Sequence, residues 1–379
     1  MIHPPMSMRP GRVPLGRRVL FGDVRQGALT VAGVAAALLL VLVLDAVLAG
    51  ALERVTYYLR TSPADVFVSQ GGVRTMHMSA STLPADTARL AAAVRGAAWA
   101  APIAFTSGAL GSPSGRQLTY LVGYDTSSGR GGPLTLEAGV PPGRGEAVLD
   151  ELVADDLGLP IGSDATVLGT PLKVAGLTSS GTSITNTTVF VSLDQFAEMR
   201  GATVSYVLVG AVDGTSATQL AAQVAAALPG TTVQTRAQFV AAESSIVSSM
   251  SADVLVLMNL IGLLIALAVV ALGLLTSTLA RLRDYAVLKA VGARTWELVG
   301  TVASQVLWTV GLALVLATGL ALVLARLVPV LAPTVLLSVT PESVLTTGLG
   351  ALAAGLIAAL LPLLRLTRVD AATAFRERQ

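Results

Sequence analysis

Residues 28–52 read ALTVAGVAAALLLVLVLDAVLAGAL, an apolar stretch whose only charged residue is Asp45. Three more long apolar stretches follow near the end of the chain, at residues 254–280, 298–325 and 343–364. Each is long enough for a helix to cross about 30 Å of hydrocarbon, which takes about 20 residues. The mean hydropathy of the chain, +0.72, is also high. The sequence therefore predicts an integral membrane protein with one span before a polar middle segment and three spans after it.

The charges of the short segments predict the side of the membrane on which each one lies. Residues 1–27 carry five arginines against one acid, and residues 281–297 and 365–379 are also rich in arginine and lysine. Short segments with an excess of basic residues stay in the cytoplasm. Both termini and residues 281–297 are therefore predicted to lie inside, and residues 53–253 and the loop 326–342 outside. A cleaved signal peptide is the alternative for the first span, but its apolar run exceeds the 7–15 residues of a signal peptide core.

The outer segment is predicted to fold as an α+β domain. It has no cysteine, so its stability must come from a buried core, for which about 200 residues are enough. A helix, a turn and a strand are predicted twice, near residues 84–105 and 211–236, with a β-rich insertion at residues 106–210 between them. One α+β unit built from both flanks explains this pattern, and coincidence between two common amphipathic helices is the alternative.

The predicted fold class is thus an α-helical integral membrane protein. It has four transmembrane helices (1+3), with a large α+β extracytoplasmic domain between the first and the second. Within the β-rich insertion the sequence predicts one short helix and four short strands. These are the helix at residues 150–157 and the strands at residues 165–168, 172–177, 189–192 and 204–209.

Helical spacing of apolar residues continues beyond the membrane ends of two spans. The extension after the first span covers residues 53–60, and the extension before the second covers residues 238–253. The apolar residues that keep this spacing are Leu52, Val55 and Leu59 in the first, and Phe239, Ile246 and Met250 in the second. Two such extensions predict a stalk that joins movement in the membrane to movement outside. Local packing of two helix ends is the alternative.

The sequence has no motif for chemical catalysis. It lacks the G-x-x-x-x-G-K-[ST] loop that cradles phosphates, so it does not predict ATP hydrolysis by this chain. The two histidines, His3 and His77, are predicted on opposite sides of the membrane, which excludes a histidine metal cluster or a catalytic triad. The outer segment has more acids than bases, which argues against a nucleic-acid partner. We therefore expect no catalytic residue, no bound cofactor and no metal site.

The inner loop between the second and third spans has a short amphipathic pattern. Residues 280–294 read ARLRDYAVLKAVGAR, in which Tyr285, Leu288 and Val291 share one helical face and Gly292 is a helix stop. A short amphipathic helix beneath the membrane is a suitable docking site for a cytoplasmic partner. A plain hairpin turn between two spans is the alternative that the residues leave open.

This loop resembles the coupling loop of the FtsX-like permeases, the group that includes MacB, which are membrane subunits of ABC transporters. The family pattern is Arg-Glu followed by a basic residue, Ala, an aliphatic residue and Gly-Ala. Residues 368–376 are similar to the family's closing segment, although Ala371 stands where proline is usual, and Asp284 replaces the usual glutamate. The resemblance implies that the loop contacts an ATPase. The residues concerned are Arg283, Asp284, Tyr285, Leu288, Lys289, Val291, Gly292 and Ala293.

The resemblance also implies a function, a location and partners. The chain would be the permease subunit of an ABC transporter in a bacterial inner or plasma membrane, and ATP would be used by a separate cytoplasmic ATPase. Closure of the ATPase would move the outer domain by mechanotransmission and so drive export or release of a substrate. Implied partners are that ATPase, a second permease copy in a homo- or heterodimer, and an extracytoplasmic adaptor or hydrolase. Two alternatives are an FtsX-type transmembrane regulator of a cell-wall hydrolase and a membrane-anchored sensor.

Overall fold

The computed structural model describes residues 24–179, 181–182, 187–280, 295–332 and 334–368. The chain divides into two compact units. The first, the helical unit, lies within Met1–Val47, Asp253–Leu327 and Val339–Gln379. The second, the sheet unit, comprises Leu48–Ala252 and Val328–Ser338.

The described helices and strands follow one another in a fixed order along the chain. They are α1 (Val24–Thr61), β1 (Val66–Gln70), α2 (Thr87–Ala92), β2 (Ala97–Ser112), β3 (Gly115–Tyr124), β4 (Leu136–Gly139), β5 (Glu146–Asp150), α3 (Glu151–Leu157), β6 (Asp164–Val167), β7 (Thr170–Thr178), β8 (Thr187–Ser192), α4 (Leu193–Arg200), β9 (Tyr206–Ala211), α5 (Ala217–Ala227), β10 (Thr231–Thr235), α6 (Arg236–Ala280), α7 (Thr295–Leu331) and α8 (Pro341–Arg368).

Three helices in the described part of the chain are long and apolar enough to cross a membrane. They contain Gly27–Thr61, Val299–Leu331 and Pro341–Leu360, which correspond to the first, third and fourth predicted spans. The second predicted span, residues 254–280, falls within α6. Its described apolar part, Leu260–Thr276, is shorter than a span. A fourth span therefore stays a prediction.

Small residues bring α1 and α6 close together within the helical unit. A Cβ atom added at Gly262 would lie 2.4 Å from Cγ2 of Val41, and one added at Gly273 would lie 2.5 Å from Cγ2 of Thr30. Glycine at these positions lets two helix backbones approach closely, which is how helices associate where apolar burial between them gains little. The two helices are thus in close van der Waals contact at both of these positions.

The sheet unit contains one ten-stranded sheet. Its strand order is β10-β1-β9-β2-β3-β8-β5-β7-β4, and β6 pairs with β2 and β7. Most neighbours are antiparallel, whereas β3–β8 and β5–β7 are parallel. Strands β1 and β10 come from the two flanks of the unit and pair with each other, and β9, whose residues the sequence analysis had placed at the end of the insertion, pairs with β1 and β2. The predicted sheet-rich α+β domain is therefore confirmed.

Separate apolar cores cover the sheet, and the one that contains Phe67 and Phe239 lies on the face of β1 opposite Val66 and Val68. On the flank strands, α2 and α5 pack on one face through Ala91, Leu220 and Val224, each fully buried. In the insertion, α3 and α4 pack on the strands through Val153 and Phe196. Strand β1 is covered on both faces, which explains why its sequence VFVSQ begins as an unbroken apolar run and does not alternate.

A buried carboxylate fixes the junction between β5 and α3. Asp150 is fully buried, and its Oδ1 accepts a hydrogen bond of 3.0 Å from the backbone N–H of Leu152, which caps α3. Its Oδ2 accepts a second hydrogen bond, of 2.6 Å, from the N–H of Gly181. One side chain therefore caps a helix and holds the loop after β7.

We expect Asp150→Ala to destabilise the sheet unit by about 2–4 kcal/mol, because it removes a helix cap and leaves the part-buried N–H groups of Leu152 and Gly181 without their partner. Thermal unfolding of the full chain in detergent measures this as a lower midpoint. Asp156→Ala, which removes an exposed carboxylate from the same helix, is the matched control and should change the midpoint little. Equal effects of the two variants would contradict the assigned role of Asp150.

Candidate functional site

The residues predicted to contact an ATPase lie outside the described residues. They are Arg283, Asp284, Tyr285, Leu288, Lys289, Val291, Gly292 and Ala293, and their role stays a prediction from the sequence. The candidate site that the structure does describe is the place where α1 ends and α6 begins, within the sheet unit.

Helices α1 and α6 are joined to two neighbouring strands of the sheet. Strand β1 follows α1 after four residues, and β10 leads directly into α6. The two strands pair antiparallel, with Val66 opposite Thr235. The N–H of Arg236 donates to the carbonyl of Asp65 at 2.9 Å, and its Nη1 donates to the carbonyl of Ser62 at 2.7 Å. We call residues 62–66 and 235–236 the strand junction.

Three polar side chains stiffen the strand junction. The N–H of Thr235 donates to Oε1 of Gln238 at 3.0 Å, and the N–H of Gln238 donates to Oγ1 of Thr235 at 3.3 Å. This reciprocal pair is a capping box, which satisfies free amides at the start of α6. Oδ2 of Asp65 accepts a hydrogen bond from the N–H of Ala211 at 2.8 Å, which ties the junction to β9.

The predicted stalk residues lie at different depths. Leu59 and Phe239 are fully buried and belong to one apolar cluster beneath the sheet. The ring centroid of Phe239 lies 5.1 Å from that of Phe67 on β1 and 5.9 Å from that of Tyr206 on β9. Leu52, Val55 and Ile246 are half-buried, and the side chain of Met250 lies outside the described residues. The structure thus brings Leu59 and Phe239 together, while their role in a stalk stays a prediction.

A buried carboxylate on α6 holds the loop after β1. Glu243 is 1% exposed, and its Oε2 accepts a hydrogen bond of 2.7 Å from the N–H of Met76. Its Oε1 lies 2.7 Å from Nδ1 of His77 and accepts a longer bond of 3.4 Å from the N–H of the same residue. The hydroxyl of Tyr206 donates to the carbonyl of Thr75 at 3.1 Å. The loop therefore moves with α6 or loses its bonds to Glu243, and Tyr206 ties the same loop to β9.

The surroundings of Glu243 favour its charged form. Burial by itself would raise the pKa of the carboxyl, but the hydrogen bond and charge of His77 and the amides of Met76 and His77 outweigh it and lower the pKa. On the other side, burial and the negative charge of Glu243 raise the pKa of Tyr206. The ring of His77 also lies 4.4 Å from the ring of Tyr120, measured between centroids.

Sequence reasoning missed Glu243 and the capping box, although each leaves a signal. Glu243 follows Phe239 by four residues and therefore shares its helical face, so a face assigned to the core carries one acid. Thr235 and Gln238 have the S/T-x-x-E/Q spacing that marks a helix start. Among the described residues, no group of three or more His, Cys, Asp or Glu side chains is placed to hold a metal ion.

Two family models match the sequence. The MacB-like periplasmic core domain matches residues 28–227, and the FtsX-like permease C-terminal domain matches residues 256–371. No curated protein matches the sequence. The first match covers more than half of the chain, and the second covers the part that contains the inner loop and the last two predicted spans.

Two solved structures resemble part of the chain at low identity. The periplasmic region of MacB from Actinobacillus actinomycetemcomitans is 14% identical with a TM-score of 0.37, over 47% of this chain and 92% of that one. The extracellular domain of the noncanonic ABC-type transporter YknZ from Gram-positive bacteria is 12% identical with a TM-score of 0.37, over 45% of this chain and 99% of that one.

We expect Glu243→Gln to lower stability at neutral pH by about 1.5–3 kcal/mol, because the hydrogen bonds it weakens involve a charged acceptor. A carboxyl whose folded-state pKa is lowered stabilises the fold above its ordinary pKa of 4.5, and this contribution is lost as the pH falls through the lower folded-state value. The difference in unfolding midpoint between wild type and variant should therefore narrow below pH 4.5. A pH series of thermal unfolding curves measures it.

Glu198→Gln is the control for this series. Glu198 lies on α4 and forms an ion pair with Arg144, but both side chains are exposed, at 42% and 79%, so its loss should change the midpoint little at any pH in the series. If the difference in unfolding midpoint between wild type and Glu243→Gln stays constant with pH, or widens in acid, Glu243 is not the stabilising buried carboxylate assigned here.

Proposed function

Because the chain belongs to the FtsX-like permeases that carry a MacB-like periplasmic core domain, we propose that it couples a separate cytoplasmic ATPase to movement of its sheet unit. The family consists of permease subunits of ABC transporters, which are not themselves enzymes. The chain is a membrane protein, with three helices of spanning length in its described part. In the proposal, ATP is bound and hydrolysed by the partner, and this chain passes on the resulting movement.

The strand junction is the observation that carries the proposal. Helices α1 and α6 each contribute residues to the helical unit and to the sheet unit. Within the sheet unit their ends are held by the β1–β10 pairing and by Arg236, and Leu59 and Phe239 lie in the same buried cluster. A displacement of α6 is therefore resisted by backbone hydrogen bonds and by apolar contacts, and the sheet unit follows it as one body.

The proposed sequence of events begins at the inner loop. Closure of the ATPase displaces residues 281–297, and α6 carries the displacement to the strand junction. The sheet unit then changes its position and moves or releases a substrate outside the bilayer. In this arrangement both termini are cytoplasmic, and a second permease copy completes the transporter. Regulation of an outer partner would use the same movement without substrate flux.

We expect the double variant Leu288→Asp, Val291→Asp to reduce recovery of a co-expressed cytoplasmic ATPase by about tenfold or more, because two apolar side chains of the proposed docking helix would be replaced by charges. Co-purification from detergent-solubilised membranes measures the recovery. Leu118→Asp is the control, since Leu118 is 64% exposed on β3 of the sheet unit. Equal ATPase recovery with the double variant and with wild type would contradict the proposal that the inner loop docks the ATPase.

Movement of the sheet unit as one body can be measured with spin labels, because the chain has no native cysteine. Labels at Leu118→Cys and Glu342→Cys report on the two units, and we expect their distance distribution to change when ATP is added in the presence of the ATPase. Labels at Arg60→Cys and Ala241→Cys flank the strand junction, and their distance should stay constant. Double electron–electron resonance gives both distances.

Either of two results would contradict this mechanism. If the Leu118–Glu342 distance does not respond to ATP, the sheet unit is not displaced by the ATPase. If the Arg60–Ala241 distance changes as much as the first one, the strand junction gives way and does not transmit the movement.

A further inference from the structure

An apolar groove of about 600 Å³ runs between α7 and α8 in the helical unit. Its wall on α7 extends from Leu307 to Leu322, and its other wall extends from Val339, just before α8, to Leu352. At a rise of 1.5 Å per residue, the wall on α7 is about 22 Å long. The groove belongs to neither the inner loop nor the strand junction.

Helices α7 and α8 touch within the groove but leave one side of it open. A Cβ atom added at Gly348 would lie 2.7 Å from Cδ2 of Leu314, so the two helices meet there. By contrast, Leu345 is 62% exposed and Leu349 is 59% exposed. A Cβ atom added at Gly311 would have no atom within 4 Å. The open side therefore has room for an extended chain next to Gly311.

The membrane determines what can lie against this groove. Helices α7 and α8 are both long and apolar enough to span a bilayer, and none of the described residues that line the groove is charged. Hydrocarbon fills such a groove, because an empty one would lose its van der Waals contacts. Apolar contact alone does not favour one lipid over another, since lipid tails are as apolar as the side chains. A site for a particular lipid therefore needs polar contacts at one end of the groove.

Two residues of opposite charge lie at the end of the groove that is next to the connection between α7 and α8. Arg326 follows Leu322 by four residues and shares its helical face, and its Cα–Cβ bond tilts back toward the groove. Glu342 lies in the first turn of α8, directly after the lining residue Pro341. Both are exposed, and neither side chain forms a hydrogen bond or ion pair with another residue that the structure describes.

This pair of charges fits the headgroup of a phospholipid that carries an amine. A guanidinium binds phosphate oxygens through charged hydrogen bonds, and a carboxylate accepts hydrogen bonds from a primary ammonium group. Residues 326–342 are predicted outside, which would place the headgroup in the outer leaflet. One leaflet is about half of the 30 Å hydrocarbon core, or about 15 Å. The groove is therefore long enough for one acyl chain that starts at this end.

We propose that the groove holds one acyl chain of a phospholipid whose headgroup carries a phosphate and a primary amine, as in phosphatidylethanolamine. Arg326 binds the phosphate, and Glu342 binds the ammonium group. The lipid thus joins the end of α7 to the start of α8. Its binding is a property of this chain alone and does not depend on the proposed ATPase.

The experiment uses the full chain in lipid nanodiscs that contain phosphatidylethanolamine with a diazirine in the middle of one acyl chain. After illumination, peptide mass spectrometry identifies the residues that carry lipid. We expect Leu345 and Leu349 to be labelled about fivefold or more above Val315, because a bound chain stays beside them while the surrounding lipid exchanges. Val315 is 74% exposed on α7 but does not line the groove. Equal labelling would mean ordinary surrounding lipid only and would overturn the proposal.

Filling the groove tests the place of binding. Gly311→Phe puts a ring into the open space and should lower the labelling of Leu345 and Leu349 about fivefold or more. Gly319→Phe is the matched control, since Gly319 is also an exposed glycine of α7 with no atom within 4 Å of an added Cβ, but it does not line the groove. It should leave the labelling unchanged. Labelling that survives Gly311→Phe would contradict the assigned site.

Phosphatidylglycerol with the same diazirine chain tests the headgroup, because it has the phosphate but no amine. At equal mole fraction we expect phosphatidylethanolamine to label the groove about threefold or more above phosphatidylglycerol, since only it gains the charged hydrogen bond to Glu342. Glu342→Gln should remove this preference, and Arg326→Gln should lower the labelling by both lipids. Thermal unfolding shows whether each variant keeps its fold. Equal labelling of the wild type by the two lipids would overturn the headgroup assignment.

A second copy of the chain is the other occupant that the experiment distinguishes. The chain has no native cysteine, so Leu345→Cys provides a single thiol in the groove. We expect this variant to stay monomeric in non-reducing gels after mild oxidation in nanodiscs. Disulfide-linked dimers would assign the groove to a second copy and overturn the lipid site, and so would the absence of any lipid on Leu345 and Leu349 in the wild type.

Discussion

The backbone pairing between β1 and β10 is the constraint on which the rest of the sheet unit depends. It joins five residues that follow α1 to five that precede α6, although more than 150 residues of chain lie between the two strands. β1 also pairs with β9, so one short strand joins both flanks of the unit. The α2 and α5 helices then have a common surface to cover, and the β-rich insertion extends the same sheet.

The register of this pairing is fixed by what lies on the two faces of β1. Val66 and Val68 enter the cluster beneath α2 and α5, whereas Phe67 enters the cluster that holds Leu59 and Phe239. A slip of one residue would turn every side chain of the strand to the opposite face. The large ring of Phe67 would then fall among small aliphatic residues, and Phe239 would lose its ring contact. The register of the strands and the burial of the helix ends therefore depend on each other.

The fold could be predicted from the sequence where local pattern and tertiary structure agree. The predicted strands at residues 165–168 and 172–177 overlap β6 and β7, and the predicted helix at residues 150–157 overlaps α3. Beyond the strand predicted near residues 84–105, the strands of the long β2–β3 hairpin were not predicted one by one, and they contain several glycines. One of them, Gly108, has the side chain of Leu168 only 2.5 Å from where its Cβ would be. That glycine makes room for a residue 60 positions away, which no local pattern shows.

Like the fold, the candidate site has residues that the sequence predicts and residues that it does not. Helical spacing includes Leu59 and Phe239, which are fully buried, but it also includes Leu52, Val55 and Ile246, which are half-buried. The polar residues of the site depend on partners that are distant in the sequence, because Glu243 bonds to residues 166 and 167 positions before it. A single acid on an apolar face could equally be a solvated residue until its partners are known. Sequence reasoning considered His77 only for metal binding or catalysis, and the structure gives it a structural partner that was not anticipated.

The two kinds of contact at the base of α6 resist different movements. The contacts of Phe239 are apolar and without direction, so a small rotation of the helix would exchange one contact for another at little cost. The hydrogen bonds of Glu243 have direction, and rotating the carboxylate away would leave a buried charge and two amides without partners, which is strongly unfavourable. Translation of α6 that carries the loop after β1 with it keeps every one of these bonds. The hydrogen bonds of Glu243 therefore hold the base of α6 against rotation within the sheet unit and let it translate only together with the loop after β1.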